Sequence, residues 1–221
     1  MTDTHFFDSL ETRTPAQRES EQFELLVGQL RHAKAKASQY SELLAGIDPE
    51  VVTDRSALAR LPVTRKSELS QSQLRDPPFG GYAATEEDDL LRVFASPGPV
   101  FEPQGRRDDF WRFARALHAA GFRRGDLIHN TFSYHFTPAG QMVESAARAI
   151  GCPVFPGGIA QTELQVQVMA QLKPRAYCGT PSFLKIILDK AVNMGIRIEG
   201  LELSLIHISE PTRPERSGCG G

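Results

Sequence analysis

An α/β fold with a mostly parallel sheet and helices on both of its faces is what residues 85–202 predict, preceded by a helical wrapping segment over 1–84. Three observations carry this reading. Short apolar runs alternate with amphipathic stretches of helical length. Cap and stop residues bound those stretches. Connections of that length cannot be hairpins, so they act as crossovers between parallel strands. Ligands in such sheets sit at the carboxyl ends of the strands, which singles out the loops at 96–105, 132–136, 155–161 and 179–182.

The first helix is expected over 15–44. Thr14 can cap it, Pro15 suits its first position, and Leu26, Leu30, Ala33, Ala37 and Tyr40 recur three or four residues apart as a stripe that needs a packing partner. Residues 48–85 read as short polar and turn-rich pieces, punctuated by Pro62, Pro77-Pro78 and Gly80-Gly81. A strand over 90–95, a Pro/Gly loop over 96–105 and a helix over 108–120 stopped by Gly121 come next. A strand over 127–132 leads to a helix with Thr137 as cap, Pro138 at its first position and Gly151 just past its end. A strand over 153–155 passes through Gly157-Gly158 to a helix over 162–172. The last pair is a strand over 176–178 and a helix with Thr180 as cap, Pro181 inside and Gly195 after.

The 221 residues, 40% of them hydrophobic and 24% charged, suffice for a sizeable core. A formal charge of -2 supplies no basic field of the kind that holds nucleic acid or an anionic membrane, so neither is expected as a partner. The opening Met1-Thr2-Asp3-Thr4-His5 has no signal-peptide pattern and no apolar run is long enough to span a bilayer, so a cytoplasmic protein is expected. Cys152, Cys178 and Cys219 show neither CxxC spacing nor a paired framework; the first two are expected as small buried apolar residues.

Past Glu202 the string Leu203-Ser204-Leu205-Ile206-His207-Ile208-Ser209-Glu210-Pro211-Thr212-Arg213 looks like the translated read-through of a transposase-type sequencing adapter. The expectation is therefore a native segment ending near Glu202 and a non-native tail over 203–221, with Leu203, Leu205 and Ile208 still compatible with a strand.

Several short stretches occur in a telling order: Leu61-Pro62-Val63-Thr64-Arg65-Lys66-Ser67-Glu68-Leu69, Pro78-Phe79-Gly80, Arg92-Val93-Phe94-Ala95-Ser96, Phe136-Thr137, Gly157-Gly158, Gln161-Thr162 and Thr180-Pro181-Ser182-Phe183. In these the chain resembles the phenylacetate–CoA ligases of the adenylate-forming, AMP-binding superfamily, over about residues 25–196. The resemblance implies an incomplete N-terminal domain of an enzyme that activates a small organic carboxylate as an acyl-adenylate with ATP and Mg2+, then transfers it to coenzyme A. It also implies that the ribose-binding acid, the main magnesium-binding acid and the catalytic lysine lie beyond Glu202. No catalytic residue and no metal ligand is therefore assigned, and the chain alone is expected to be inactive. An aromatic acid and a homodimer are options left open.

The family's phosphate loop, Ser-Ser-Gly-Thr-Thr-Gly-Lys-Pro, aligns with Ser96-Pro97-Gly98-Pro99-Val100-Phe101-Glu102-Pro103, in which prolines remove amide donors and an acid replaces the lysine. The resemblance places Ser96, Gly98, Glu102 and Pro103 at ATP, while the residues alone read as a stiff turn after a strand. It likewise places Phe132, Tyr134, Phe136 and Thr137 at the acid, where aromatic walls suit a flat apolar molecule; packing of these rings as loop anchors is the alternative. Gly157 and Gly158 either present amides to an anion or form only a turn and cap. His129 and His135, with no acid nearby in sequence, each read as a surface or internally satisfied histidine, and Arg106-Arg107 and Arg123-Arg124 as solvated. No Ser/His/Asp triad, metal cluster or dinucleotide fingerprint is present. Against the ligase stand a ligase-like binding protein that no longer uses ATP, motivated by the Pro/Glu loop, and a purely structural or dimerising domain.

Overall fold

The computed structural model describes residues 5–206. Helix α1 (Pro15–Lys36) begins in a capping box: Thr14 Oγ1 accepts from the Gln17 amide and Gln17 Oε1 accepts from the Thr14 amide. Each bond satisfies a donor that the first helical turn leaves orphaned. The continuous helix expected to residue 44 is instead broken at Ala37, whose backbone is extended, and α2 (Ser38–Leu43) follows. The cause is tertiary. Gly81 packs so closely on the break that a Cβ there would fall 2.5 Å from Ser38 Oγ, and its carbonyl accepts from the Gln39 amide at 3.0 Å. The apolar stripe finds its partner locally, with Leu30, Leu44, Val52 and Ala57 buried together beside Leu26, Tyr40 and Leu61. Two short helices complete this part, α3 (Arg55–Leu58) and α4 (Lys66–Arg75).

The first strand departs most from the expected pattern. β1 (Leu90–Ser96) does not enter the parallel sheet; it pairs antiparallel with β2 (Val100–Gly105) as a separate two-stranded sheet. The loop expected over 96–105 is thus a hairpin whose turn holds only Pro97, Gly98 and Pro99. Pro103 is tolerated opposite Val93 because a two-stranded sheet leaves every strand one unpaired edge. The next helix, α5 (Ala114–Ala119), is shorter than expected: Asp109 and Arg112 take left-handed backbone, and the Asp109 carboxylate accepts from the Phe113 and Ala114 amides, capping the helix late.

From there the expected alternation is present: β3 (Ile128–Asn130), α6 (Ala139–Ile150), β4 (Val154–Pro156), α7 (Thr162–Leu172), β5 (Ala176–Gly179), α8 (Pro181–Asn193) and β6 (Leu203–Ile206). The four strands are parallel in the order β4-β3-β5-β6. Thr180 caps α8 as expected, accepting from the Phe183 amide, whereas Thr137 makes no cap bond to α6, which starts after Pro138. Helices cover both faces. Ile128, Ala176 and Cys178 are buried with Leu117 of α5 and Val143 and Ala147 of α6, while Tyr177 is buried with Met169 of α7 and Ile187 of α8. The alternation along β5 is the period-two rule of a strand enclosed on both sides. Leu203 and Leu205 of β6 pack against the first of these clusters, and Ile208 lies outside the described residues, as does the rest of 207–221. No described helix is long and apolar enough to cross a membrane.

Candidate functional site

The strand order reverses at β3 and β5: the chain leaves β3 for α6 on one face and β5 for α8 on the other. This is the position where open α/β sheets form a binding crevice. It is also where the sequence becomes polar inside the molecule, because His129, Asn130 and Thr131 at the end of β3 are all at most 3% exposed. Buried polar groups need partners, and those of Asn130 and Thr131 come from the neighbouring loops, helix and strand. Asn130 donates from Nδ2 to the Tyr134 hydroxyl at 2.8 Å and to the Gly140 carbonyl at 3.0 Å, and its own carbonyl accepts from the Gly158 amide at 3.0 Å. Thr131 Oγ1 lies 2.7 Å from the Tyr177 hydroxyl, across to β5.

One asparagine therefore joins two of the loops expected to bind the acid. Tyr134 and Gly158 are neighbours: a Cβ on Gly158 would stand 3.9 Å from Tyr134 Cδ2. Burial raises the Tyr134 phenol well above its ordinary value, so it stays a neutral hydroxyl. Phe132 is half-buried against the core, Thr137 is half-buried with its amide on the His135 carbonyl, and Phe136 is 80% exposed with a positive φ. Of the aromatic loop, Tyr134 shares a wall with the glycine loop. The Gly157 and Gly158 amides donate to the Phe155 and Asn130 carbonyls, each at 3.0 Å, so neither is turned toward an anion.

The hairpin docks beside them through the Ala95 amide, which donates to the Phe136 carbonyl at 2.9 Å. One residue further, Ser96 Oγ accepts from Lys66 Nζ at 3.1 Å. The turn thus has an ammonium after all, delivered by the first residue of α4. Glu102 and Pro103 are not in the turn with Ser96 and Gly98. They sit on β2 and line a separate cavity of about 260 Å³ with Leu69, Phe79, Tyr82 and Trp111. Sequence reasoning missed Lys66, Asn130 and Gln165 and set His129 aside. The signal was available only as polar residues at the end of an apolar strand.

The chain is similar to known proteins in sequence and in fold. The chain is 32% identical over 184 residues to a phenylacetate-coenzyme A ligase of Aromatoleum evansii, covering 79% of this chain and 41% of that protein. It is 30% identical over 223 residues to one from Pseudomonas putida, covering 96% of this chain and 50% of that protein. The chain is a relative of the phenylacetate–coenzyme A ligases. It spans at most half the length of these two relatives. A solved 2-hydroxyisobutyryl-CoA ligase, in complex with 2-HIB-AMP and CoA, superposes with a TM-score of 0.84 at 25% identity, over 91% of this chain and 46% of that one. Its postadenylation state with 2-HIB-AMP gives the same TM-score at 26% identity. No protein-family model matches the chain. In this chain the hairpin docks on the loop of Tyr134, and Tyr134 neighbours the glycine loop.

Proposed function

We propose that the protein carrying this chain is a carboxylate–CoA ligase: it activates an organic acid, with an aromatic acid as the first candidate, as an acyl-adenylate using ATP, and passes the acyl group to coenzyme A. The observation that carries the reading is the contact of Lys66 with Ser96 on a turn docked one residue away against the loop of Tyr134. A hydroxyl and an ammonium suit phosphate oxygens, and a neutral aromatic wall suits a flat acid. Glu102 lies along β2 from the turn, so its charge opposes phosphate less than its alignment with the family lysine suggests. That lowers the case for a ligase-like protein that has abandoned ATP. Magnesium is proposed as the partner of ATP, and no residue of this chain is assigned to it.

Carboxylate-dependent exchange of labelled pyrophosphate into ATP, measured on the full-length protein across aryl and alkyl acids, tests the reading. Losing one charge-assisted hydrogen bond, roughly 1.5–3 kcal/mol, predicts that Lys66→Ala raises the KM for ATP by about tenfold or more. Glu102→Gln is expected to change it far less. Absence of exchange with every acid, together with binding of an aromatic acid that Tyr134→Ala abolishes, would establish the binding protein instead.

A further inference from the structure

His129 is fully buried at the carboxyl end of β3, stacked on the Phe155 ring with centroids 5.3 Å apart, and its Nε2 lies 2.7 Å from Gln165 Oε1. Gln165, itself 3% exposed on the first turn of α7, reaches back over the preceding loop, where its Nε2 donates to the Gly158 carbonyl at 3.0 Å and the Ala160 carbonyl at 2.8 Å. Two carbonyls can only accept, so the amide end of Gln165 must face the loop and its oxygen must face the imidazole. That oxygen in turn requires a proton on His129 Nε2. His129 Nδ1 then carries the lone pair, in keeping with its burial without a hydrogen-bond partner.

The loop so held includes backbone in a conformation that side chains disfavour. Gly158, Ala160 and Gln161 all take positive φ, and two of these are not glycine. A Cβ on Gly157 would fall 2.9 Å from Gln165 Oε1 and 3.1 Å from His129 Nε2, so the pair and the loop backbone are in direct contact. On its other side, Gly158 faces Tyr134.

We infer that His129 and Gln165 are positioning residues: His129, as its Nε2–H tautomer, orients the Gln165 carboxamide, which clamps residues 157–161 against Tyr134 and so shapes the acid-binding wall. The clamp deepens the ligase reading and rests on it only for the identity of the ligand. A glutamine at 129 can set its amide nitrogen near the place of Nε2, whereas an asparagine is too short to reach it, so the two substitutions separate the hydrogen bond from mere bulk.

Nitrogen NMR of the imidazole in the chain itself is expected to show a protonated Nε2 and an unprotonated Nδ1; the reverse tautomer would overturn the inference without reference to activity. Amide exchange of Gly158 is expected to accelerate about tenfold or more in His129→Asn and Gln165→Glu, and to return to within about threefold of the parent in His129→Gln. In the full-length protein the first two should raise the KM for the acid while that for ATP stays within about twofold, again with recovery in His129→Gln. Equal damage from Asn and Gln at position 129, or a parallel rise in both KM values, would reduce the pair to ordinary packing. If the unaltered protein exchanges with no acid, the ligase reading falls, while the tautomer and the Gly158 exchange rates still decide the clamp. Should His129→Asn not fold, Gln165→Glu and the tautomer decide it in the same way.

Discussion

At Gly179, the last residue of β5, a Cβ would fall 2.0 Å from Thr131 Oγ1 and 2.4 Å from the Tyr177 hydroxyl. The side chains of two strands meet where a third would be. Gly179→Ala must therefore push apart a buried hydrogen bond, and is expected to cost about 1–3 kcal/mol in urea unfolding with an unchanged m-value. His129 gives a pH dependence at the same scale. Burial lowers its pKa below the ordinary value near 6.5, outweighing the opposing effect of the hydrogen bond that it donates to Gln165. Below pH of about 6.5 the unfolded chain takes up a proton that the folded chain resists, so this residue makes stability fall as pH drops from there toward its folded pKa. The slope should be shallower in His129→Gln. Burial also pushes the Cys178 thiol up to about 12 and Cys152 to about 11, so both are expected to resist thiol reagents until the protein unfolds.

Among the elements, those closed by local chemistry were legible and those closed by distant contacts were not. Thr14, Pro15 and Gln17 carry the start of α1 in their own side chains, and Thr180 with Pro181 does the same for α8. The break at Ala37 depends on Gly81, and the docking of the N-terminal residues depends on Arg115. Its guanidinium grips the Asp8 carboxylate at 2.6 and 3.1 Å, reaches Glu11 at 2.6 Å and lies over the Phe7 ring. The Arg115 hydrogen bond is the main reason that the Asp8 pKa is depressed, so the contact contributes above the usual carboxylate range and is lost as pH falls through the depressed value. Because these groups are partly solvated, Arg115→Ala is expected to cost at most about 1 kcal/mol globally. Its clear mark should be faster exchange of the Glu11 amide, which is bonded to the Asp8 carbonyl within the docked segment. The hairpin was missed for a different reason. Its two prolines in the turn and one in β2 imitate a loop, and only the pairing of Phe94 with Glu102 and Ser96 with Val100 shows that the backbone turns straight back.

For the whole molecule, the sheet is closed at its far edge by Arg175, which donates to Asp126 beside β3 and to Glu202 before β6, each at 2.8 Å. Arg175→Ala is expected to leave the β3–β5 pairing intact while the amides of β6 exchange faster. Equal acceleration across all four strands would show that the sheet opens as one unit. Period-two apolar runs, helix-length crossovers and cap residues are local properties of the chain, so the sequence by itself determined the α/β class, the succession from β3 to α8 and the ligase resemblance. The resemblance also led to Tyr134 and the glycine loop before any contact was visible. Which strands are neighbours, that β1 and β2 stand apart from the parallel sheet, that Lys66 rather than a loop residue supplies the charge beside Ser96, and that His129 and Gln165 hold the glycine loop were decided by the tertiary structure. Apart from the hairpin itself, each depends on groups between 26 and 48 positions apart in sequence that meet at hydrogen-bond range, and a contact at such separation leaves no periodic trace in either segment.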